Sequence, residues 1–202
     1  MRKLKPFVLL FIFACYSFSW QSNIGVNETK DLSFHLLNVD GRYVSISDYK
    51  DAKGLIIIFT CNHCPFAKLY PARLNKLNQQ YKKLGVPLIA ISSTDSVQYE
   101  EDDFQHMVVK AKKENFNYPY LYDRNQQVAK NYKAQKTPHA FVIWKEKNQW
   151  LIKYSGAIDD NGMNPKEVKT PYVENAVNAL LKGENTFESE TKSIGCQIYF
   201  RN

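Results

Sequence analysis

Apolar residues along this chain change their spacing several times, and each change marks an element. Leu55-Ile56-Ile57-Ile58-Phe59-Thr60 is an unbroken apolar run, the pattern of a strand buried on both faces. From Cys64 to Leu84, the apolar positions Phe66, Leu69, Tyr70, Leu74, Leu77, Tyr81 and Leu84 fall at helical spacing, and Gly85 closes the segment. Pro71 lies inside that segment and predicts a kink or a break, because proline lacks an N–H and clashes with the preceding turn. Val86 to Ser92 predicts the next strand. Asp102 to Asn115 predicts a second helix with Asp102 and Asp103 near its positive end. Tyr118 to Tyr122 reads as a short extended piece and Asn125 to Tyr132 as a short helix. His139 to Trp144 and Trp150 to Tyr154 flank the polar turn Glu146 to Gln149 as a hairpin. Tyr172 to Leu181 is a closing helix ended by Gly183. Upstream, Phe34 to Leu37 and Tyr43 to Ile46 flank the turn Asp40-Gly41 as two further strands. Glu184 to Asn202 has no clear period. Strands alternating with helices, then a hairpin and a helix, predict an α/β fold with a sheet covered on both faces.

A chain of 202 residues that is 44% hydrophobic and 14% aromatic suits one domain with a proper core. Residues 1–19 stand apart. Arg2, Lys3 and Lys5 precede the apolar stretch Phe7 to Phe13, which is too short to span a bilayer, and Ser17-Phe18-Ser19 offers a small-x-small cleavage site before Trp20. This reads as a secretory signal peptide, with lipid anchoring through Cys15 or an uncleaved membrane anchor as alternatives. The division is then a signal peptide (1–19), a lead-in (20–32), a domain (33–183) and a tail (184–202). Losing the three cations of the first segment lowers the net charge from +7 to +4. The remaining lysines alternate with acids and amides, without a basic stripe interleaved with aromatics, so nucleic acid is not an expected partner.

The candidate chemistry lies in Cys61-Asn62-His63-Cys64-Pro65, directly after the buried strand and at the start of the helical pattern. Unpaired N–H groups and the positive end of a helix favour a thiolate over a thiol, and a thiolate is the form that attacks disulfides. The spacing suits a redox pair, with Cys61 at the helix mouth as attacking thiolate and Cys64 as resolving thiol. His63, between them, is a candidate tuning group that stabilises the reduced thiolate, or else a solvent-facing spacer. A structural zinc site wants a second pair of ligands at similar spacing, and no second Cys-x-x-Cys or spaced histidine pair exists. No metal or other cofactor is therefore expected. His35, His106 and His139 are scattered and read as structural or solvated, with His139, next to Pro138, a candidate to line the site; Asp159-Asp160 reads as a solvated pair of acids, with a cation site as the alternative. Cys196 is open to three readings: a plain buried residue, an extra redox thiol coupling to Cys61 or Cys64, or a link between chains. An odd number of mature cysteines does not resemble a disulfide scaffold.

From about Phe34 to Leu181 the chain resembles the exported thioredoxin-like redoxins. The resemblance rests on Cys61-Asn62-His63-Cys64 after a buried strand, on Thr137-Pro138 before another, and on Gly156-Ala157-Ile158-Asp159 after the hairpin. It implies a thioredoxin-like fold with a central mixed sheet flanked by helices. It also implies a cis Thr137–Pro138 bond facing the cysteines, with Thr137 offering its backbone to a client. The implied activity is thiol–disulfide exchange on client protein thiols and disulfides, served by a thiol reductant or oxidant, in a periplasmic or secreted monomer. Cys-Asn-His-Cys-Pro together with Gly195-Cys196-Gln197-Ile198 is also similar to a peroxiredoxin-like, antioxidant subgroup. The peroxidase pattern Pro-x-x-x-Thr-x-x-Cys is not met: with Cys64 as the peroxidatic residue, Cys61 occupies the Thr position, and no arginine sits just before Phe141. Thioredoxin's usual Trp is replaced by Thr60. A third reading is a copper(I) chaperone using Cys61, Cys64 and a histidine.

Overall fold

The computed structural model describes residues 31–201. The expected signal peptide, Cys15 and most of the lead-in lie outside the described residues. Nine strands and four helices follow in chain order: β1 (His35–Asn38), β2 (Tyr43–Ser45), β3 (Gly54–Thr60), α1 (Pro71–Tyr81), β4 (Leu88–Ser92), α2 (Phe104–Lys113), β5 (Tyr120–Tyr122), α3 (Gln127–Tyr132), β6 (Lys136–Thr137), β7 (His139–Glu146), β8 (Gln149–Gly156), α4 (Tyr172–Leu181) and β9 (Cys196–Gln197). Seven strands form one mixed sheet in the order β2-β1-β5-β4-β3-β7-β8, and β6 pairs with β9 apart from it. β3 runs parallel to β4 and antiparallel to β7 at the centre.

The unbroken apolar run of β3 follows from that central place. Strand side chains alternate between faces. Ile56 and Ile58 enter the core covered by α1, α2 and α4, against Leu74, Leu77, Met107 and Val177. Leu55, Ile57 and Phe59 enter the opposite core, against Val128, Ala129 and Tyr132 of α3. All five are fully buried, and each such side chain contributes roughly 1.5–3 kcal/mol of transfer free energy. A chain forced to pack both faces of β3 has no place for a polar residue until Thr60. The reactive loop begins there.

Pro71 resolves as a break. The predicted helix over 64–84 is a short 3-10 turn at Ala67–Leu69, then α1 with Pro71 in its first turn, then a 3-10 turn at Lys82–Leu84. A first-turn proline loses nothing, since its N–H would lack an intrahelical partner anyway. Gly85 closes the segment with φ +86°, a conformation in which glycine has no Cβ to crowd the chain. The second helix starts later than expected. Asp103 is its N-cap, accepting from the His106 N–H at 2.8 Å, so Asp102 falls in a preceding 3-10 turn, Glu100–Asp102. The C-terminal stretch, although aperiodic, packs on the domain. Ser155 donates to the Ser189 carbonyl at 3.0 Å and its own carbonyl accepts from Thr191 N–H at 2.9 Å. β9 then runs antiparallel to β6. Among the described residues no helix is long and apolar enough to cross a membrane.

Candidate redox site

Three chain segments meet beyond the end of β3. The first is the loop Cys61 to Pro65. The second is the turn that carries Asp102. The third is β6 with the Thr137–Pro138 bond, which is cis, as the resemblance implies. Cys61, Cys64 and Ala67 form a small buried cluster, and Cys196 of β9 packs against it. All three cysteines are free thiols. Cys61 Sγ lies 3.1 Å from Thr137 Oγ1, and Cys64 S–H donates to the Thr137 carbonyl at 3.1 Å. Thr137 thus faces both sulfurs with two different atoms. Its backbone, expected to be free for a client, already pairs with Cys196.

Asp102 was not legible as a site residue. Its carboxylate is fully buried and accepts from the Asn62 N–H and from His63 Nδ1. His63 also stacks on Tyr99, with ring centroids 3.8 Å apart. His63 is therefore neither a solvent-facing spacer nor a direct partner of a sulfur through Nδ1; that nitrogen is held by Asp102. Asn62 completes the clamp, donating to the Glu101 carbonyl at 2.6 Å and accepting from Tyr120 O–H at 3.0 Å. Lys110 of α2 donates to the Cys61 carbonyl at 2.9 Å, and burial lowers its pKa. Carboxylate and cation fix the loop from outside, a buried polar network whose members are all partnered.

The two thiols differ. Burial pushes Cys61 far up, and the neighbouring Cys64 sulfur and the Asp102 charge act in the same direction. Cys64 is pulled down to about 4, first by the Cys61 S–H beside it, then against burial by Cys196 and the Ala67 N–H. When protonated, Cys64 donates to the Thr137 carbonyl at 3.1 Å. The helix-mouth position expected of Cys61 is not found, because the chain after it forms turns and the α-helix starts only at Pro71. The thiolate-favouring donors gather at Cys64 instead.

The other candidates separate cleanly. His139 is buried, accepts from the Gln135 N–H through Nδ1 at 3.2 Å and faces Ser155 Oγ through Nε2 at 3.1 Å. Burial lowers it to about 4, so it is neutral. His35 and His106 are exposed. Asp159 is not a solvated acid: it is buried and bound to Arg73 Nη1 at 2.7 Å and to Tyr70 O–H at 3.1 Å. Asp160 accepts from the backbone N–H groups of Lys169 and Thr170, each at 3.0 Å. For a metal, Cys61, His63 and Asp102 bring one ligand atom each within 4.8 Å of one another. A hard carboxylate is a poor partner for copper(I), and it is already committed to His63 and Asn62.

The AhpC/TSA family matches residues 28–158 of this chain. Among solved structures, the chain is similar to an uncharacterized conserved protein from Geobacillus kaustophilus, with 35% identity over 89% of this chain and 94% of that one and a TM-score of 0.79. It is also similar to a hypothetical protein from Sinorhizobium meliloti, with 31% identity over 87% and 94% of the two chains and a TM-score of 0.78. A putative thiol:disulfide interchange protein DsbE from Chlorobium tepidum shares the thioredoxin-like fold at 17% identity, over 77% and 97% of the chains, with a TM-score of 0.59. No curated protein matches the chain.

Proposed function

Because the chain belongs to the AhpC/TSA family, we propose that it is a thiol–disulfide oxidoreductase in which Cys61 and Cys64 cycle between dithiol and disulfide. The observation that carries this reading is the placement of both sulfurs 3.1 Å from atoms of one residue, Thr137, beside the cis-proline loop. In the reduced protein the Cys64 thiolate attacks a sulfur of the client disulfide. The client S–S bond breaks, and its other sulfur leaves as a thiolate and takes up a proton. Cys61 then loses its proton and attacks Cys64 Sγ, closing the Cys61–Cys64 disulfide and releasing the client as a second thiol. A thiol reductant returns the pair to the dithiol. Run backward, the same steps oxidise client thiols. These roles reverse the order expected from a helix mouth at Cys61, for the reasons of burial and donor placement given above.

The test uses single variants. Cys64→Ser abolishes exchange with a small disulfide, and Cys61→Ser traps mixed disulfides through Cys64. Trapping by Cys64→Ser instead would return the attacking role to Cys61.

Thiol peroxidase activity is the second reading, favoured by one observation: the donors that stabilise a thiolate gather around Cys64. Peroxide cleavage needs donors aimed at the oxygens where charge develops. The donors at Cys64 are two thiols and two backbone N–H groups, those of Ala67 and Cys196, while Arg73 is turned to Asp159. Reduced protein should therefore consume hydrogen peroxide more slowly than a small disulfide. A faster peroxide reaction that needs Cys64 but not Cys61 would replace the first reading with the second.

An exported, oxidising compartment is the setting proposed from residues 1–19. Partners there are client proteins with labile disulfides or thiols. Processing of the N-terminus and fractionation of the expressed full chain test it.

A further inference from the structure

We propose that β9 is a built-in client: it docks on the cis-proline loop as a strand and presents Cys196 to Cys64, so that the Cys61–Cys64 disulfide exchanges with Cys196 inside the same chain. This deepens the thiol–disulfide reading and rests on it. Strand addition to an exposed backbone edge is a general way for an extended peptide to bind. Here the edge is β6, and its occupant is the chain's own C-terminus.

Three observations support the docking as built rather than incidental. Cys196 lies in register with Thr137, the residue both active-site sulfurs face, and Gln197 with Lys136. Gly195 passes so close to this loop that a Cβ there would lie 2.1 Å from the Thr137 carbonyl oxygen and 2.6 Å from its carbon. Backbone atoms cannot rotate aside, so only glycine admits the approach. Beyond β9 the tail is anchored. Ile198 is buried in the second core and donates its N–H to the Gln135 carbonyl at 2.8 Å. Gln126, buried, donates to the Tyr199 carbonyl and accepts from the Arg201 N–H, each at 2.8 Å.

Solvent access gives the docked thiol a task. Cys61 and Cys64 are both 0% exposed, whereas Cys196 is partly exposed. Of the three sulfurs, Cys196 is the one that solvent reaches most readily in this conformation. Starting from the Cys61–Cys64 disulfide, the Cys196 thiolate attacks Cys64 Sγ and the bond to Cys61 breaks. Cys61 leaves as a thiolate and takes up the proton that Cys196 gave. One S–S bond is broken and one is made, so no external oxidant or reductant enters. In the reduced protein burial and the neighbouring Cys64 sulfur raise the Cys196 pKa, and the Lys136 charge acts against them; Lys136 Nζ lies 3.5 Å from the Gly195 carbonyl.

The experiment treats reduced full-length protein carrying Cys61→Ser with oxidised glutathione, followed by non-reducing peptide mapping. Glutathione caps Cys196, the accessible thiol, and Cys64 then attacks that sulfur and releases reduced glutathione. The expected product is an intramolecular Cys64–Cys196 disulfide; a stable glutathione adduct on either cysteine beside a free thiol on the other would overturn the proposal. In the chain with all its cysteines, graded mixtures of reduced and oxidised glutathione should populate both the Cys61–Cys64 and Cys64–Cys196 disulfides, and absence of the second would overturn it without reliance on any variant. Gly195→Val should displace the strand, abolish the Cys64–Cys196 link and speed iodoacetamide labelling of Cys64 severalfold; an undiminished link would refute the docking. Reduction of a small disulfide by the unsubstituted chain is measured alongside. Failure there sinks the oxidoreductase reading, while success there without the link sinks only the relay.

Discussion

Replacing Arg73 with alanine tests whether α1 is tied to the loop after β8 by a buried charge. Arg73 Nη1 donates to Asp159 Oδ2 at 2.7 Å and to the Asn161 carbonyl at 2.9 Å, Nη2 reaches the Gly162 carbonyl, and the guanidinium carbon lies 3.9 Å from the centre of the Tyr70 ring. The Asp159 side chain is only 5% exposed. Arg73→Ala would leave that carboxylate with two neutral donors, Tyr70 O–H at 3.1 Å and Asn161 N–H at 3.2 Å. Removing one partner of a buried ion pair costs about 3–5 kcal/mol. Two surviving donors hold the loss to the lower end, because a hydrogen bond to a charge contributes roughly 1.5–3 kcal/mol. Arg73 Nε, which has no hydrogen-bond partner among the described residues, trims it further. The expected loss is about 3 kcal/mol, or roughly 6–12 °C in Tm for a chain of this size. Urea unfolding at neutral pH measures it. Asp159→Asn in the Arg73→Ala background removes the stranded charge and should recover a large part of the loss, giving a coupling of about 1–2 kcal/mol in the double-mutant cycle. A single-variant loss under about 1 kcal/mol, or strict additivity in the cycle, would refute the claim that this pair is buried and coupled. The same loop, with Phe66, Pro138 and Ile194, lines a cavity of about 210 Å³ at the cis-proline loop, so the variant should slow exchange with protein clients more than with a small disulfide.

Two further predictions concern protons. Ultraviolet thiolate absorbance of the reduced protein should titrate with a midpoint well below the ordinary thiol value of 9, because the Cys61 S–H donates to Cys64. That midpoint should rise in Cys61→Ala, which removes the donating S–H, and vanish in Cys64→Ser; its survival in Cys64→Ser would place the thiolate elsewhere. His139 is held at about 4 against an ordinary 6.5. The unfolded chain takes up that proton near 6.5, while the folded chain refuses it until about 4. Stability should therefore fall as pH drops through this window, by up to about 3 kcal/mol. Measured on the oxidised protein, where Cys64 no longer titrates, the slope should flatten in His139→Gln; an unchanged slope would show that His139 is not the group responsible.

What the sequence determined by itself was the part written in local periodicity and covalent spacing. The apolar run of β3 could pack only as a central strand, the hairpins were marked by Asp40-Gly41 and by the polar turn at 146–149, and Cys61-Asn62-His63-Cys64 announced thiol chemistry because two cysteines so close can join. Pro71 was legible as an interruption but not as a helix start, since a 3.6-residue pattern runs through a broken segment as readily as through a whole one. Asp102 could not be seen, because nothing in a run of four acids from Glu100 to Asp103 says which one turns inward; only the approach of the Glu100–Asp102 3-10 turn to the loop of Cys61, across about forty residues of chain, selects it. Asp159 was hidden for the same reason, its partner Arg73 lying on a distant helix. The tail was the least legible of all. β9 is held by backbone hydrogen bonds, which every residue type can make and which leave no side-chain period to read. Whether Cys196 was a bystander or a neighbour of Cys64 was therefore decided only in three dimensions, by a sheet edge left free at Thr137 and a glycine small enough to reach it.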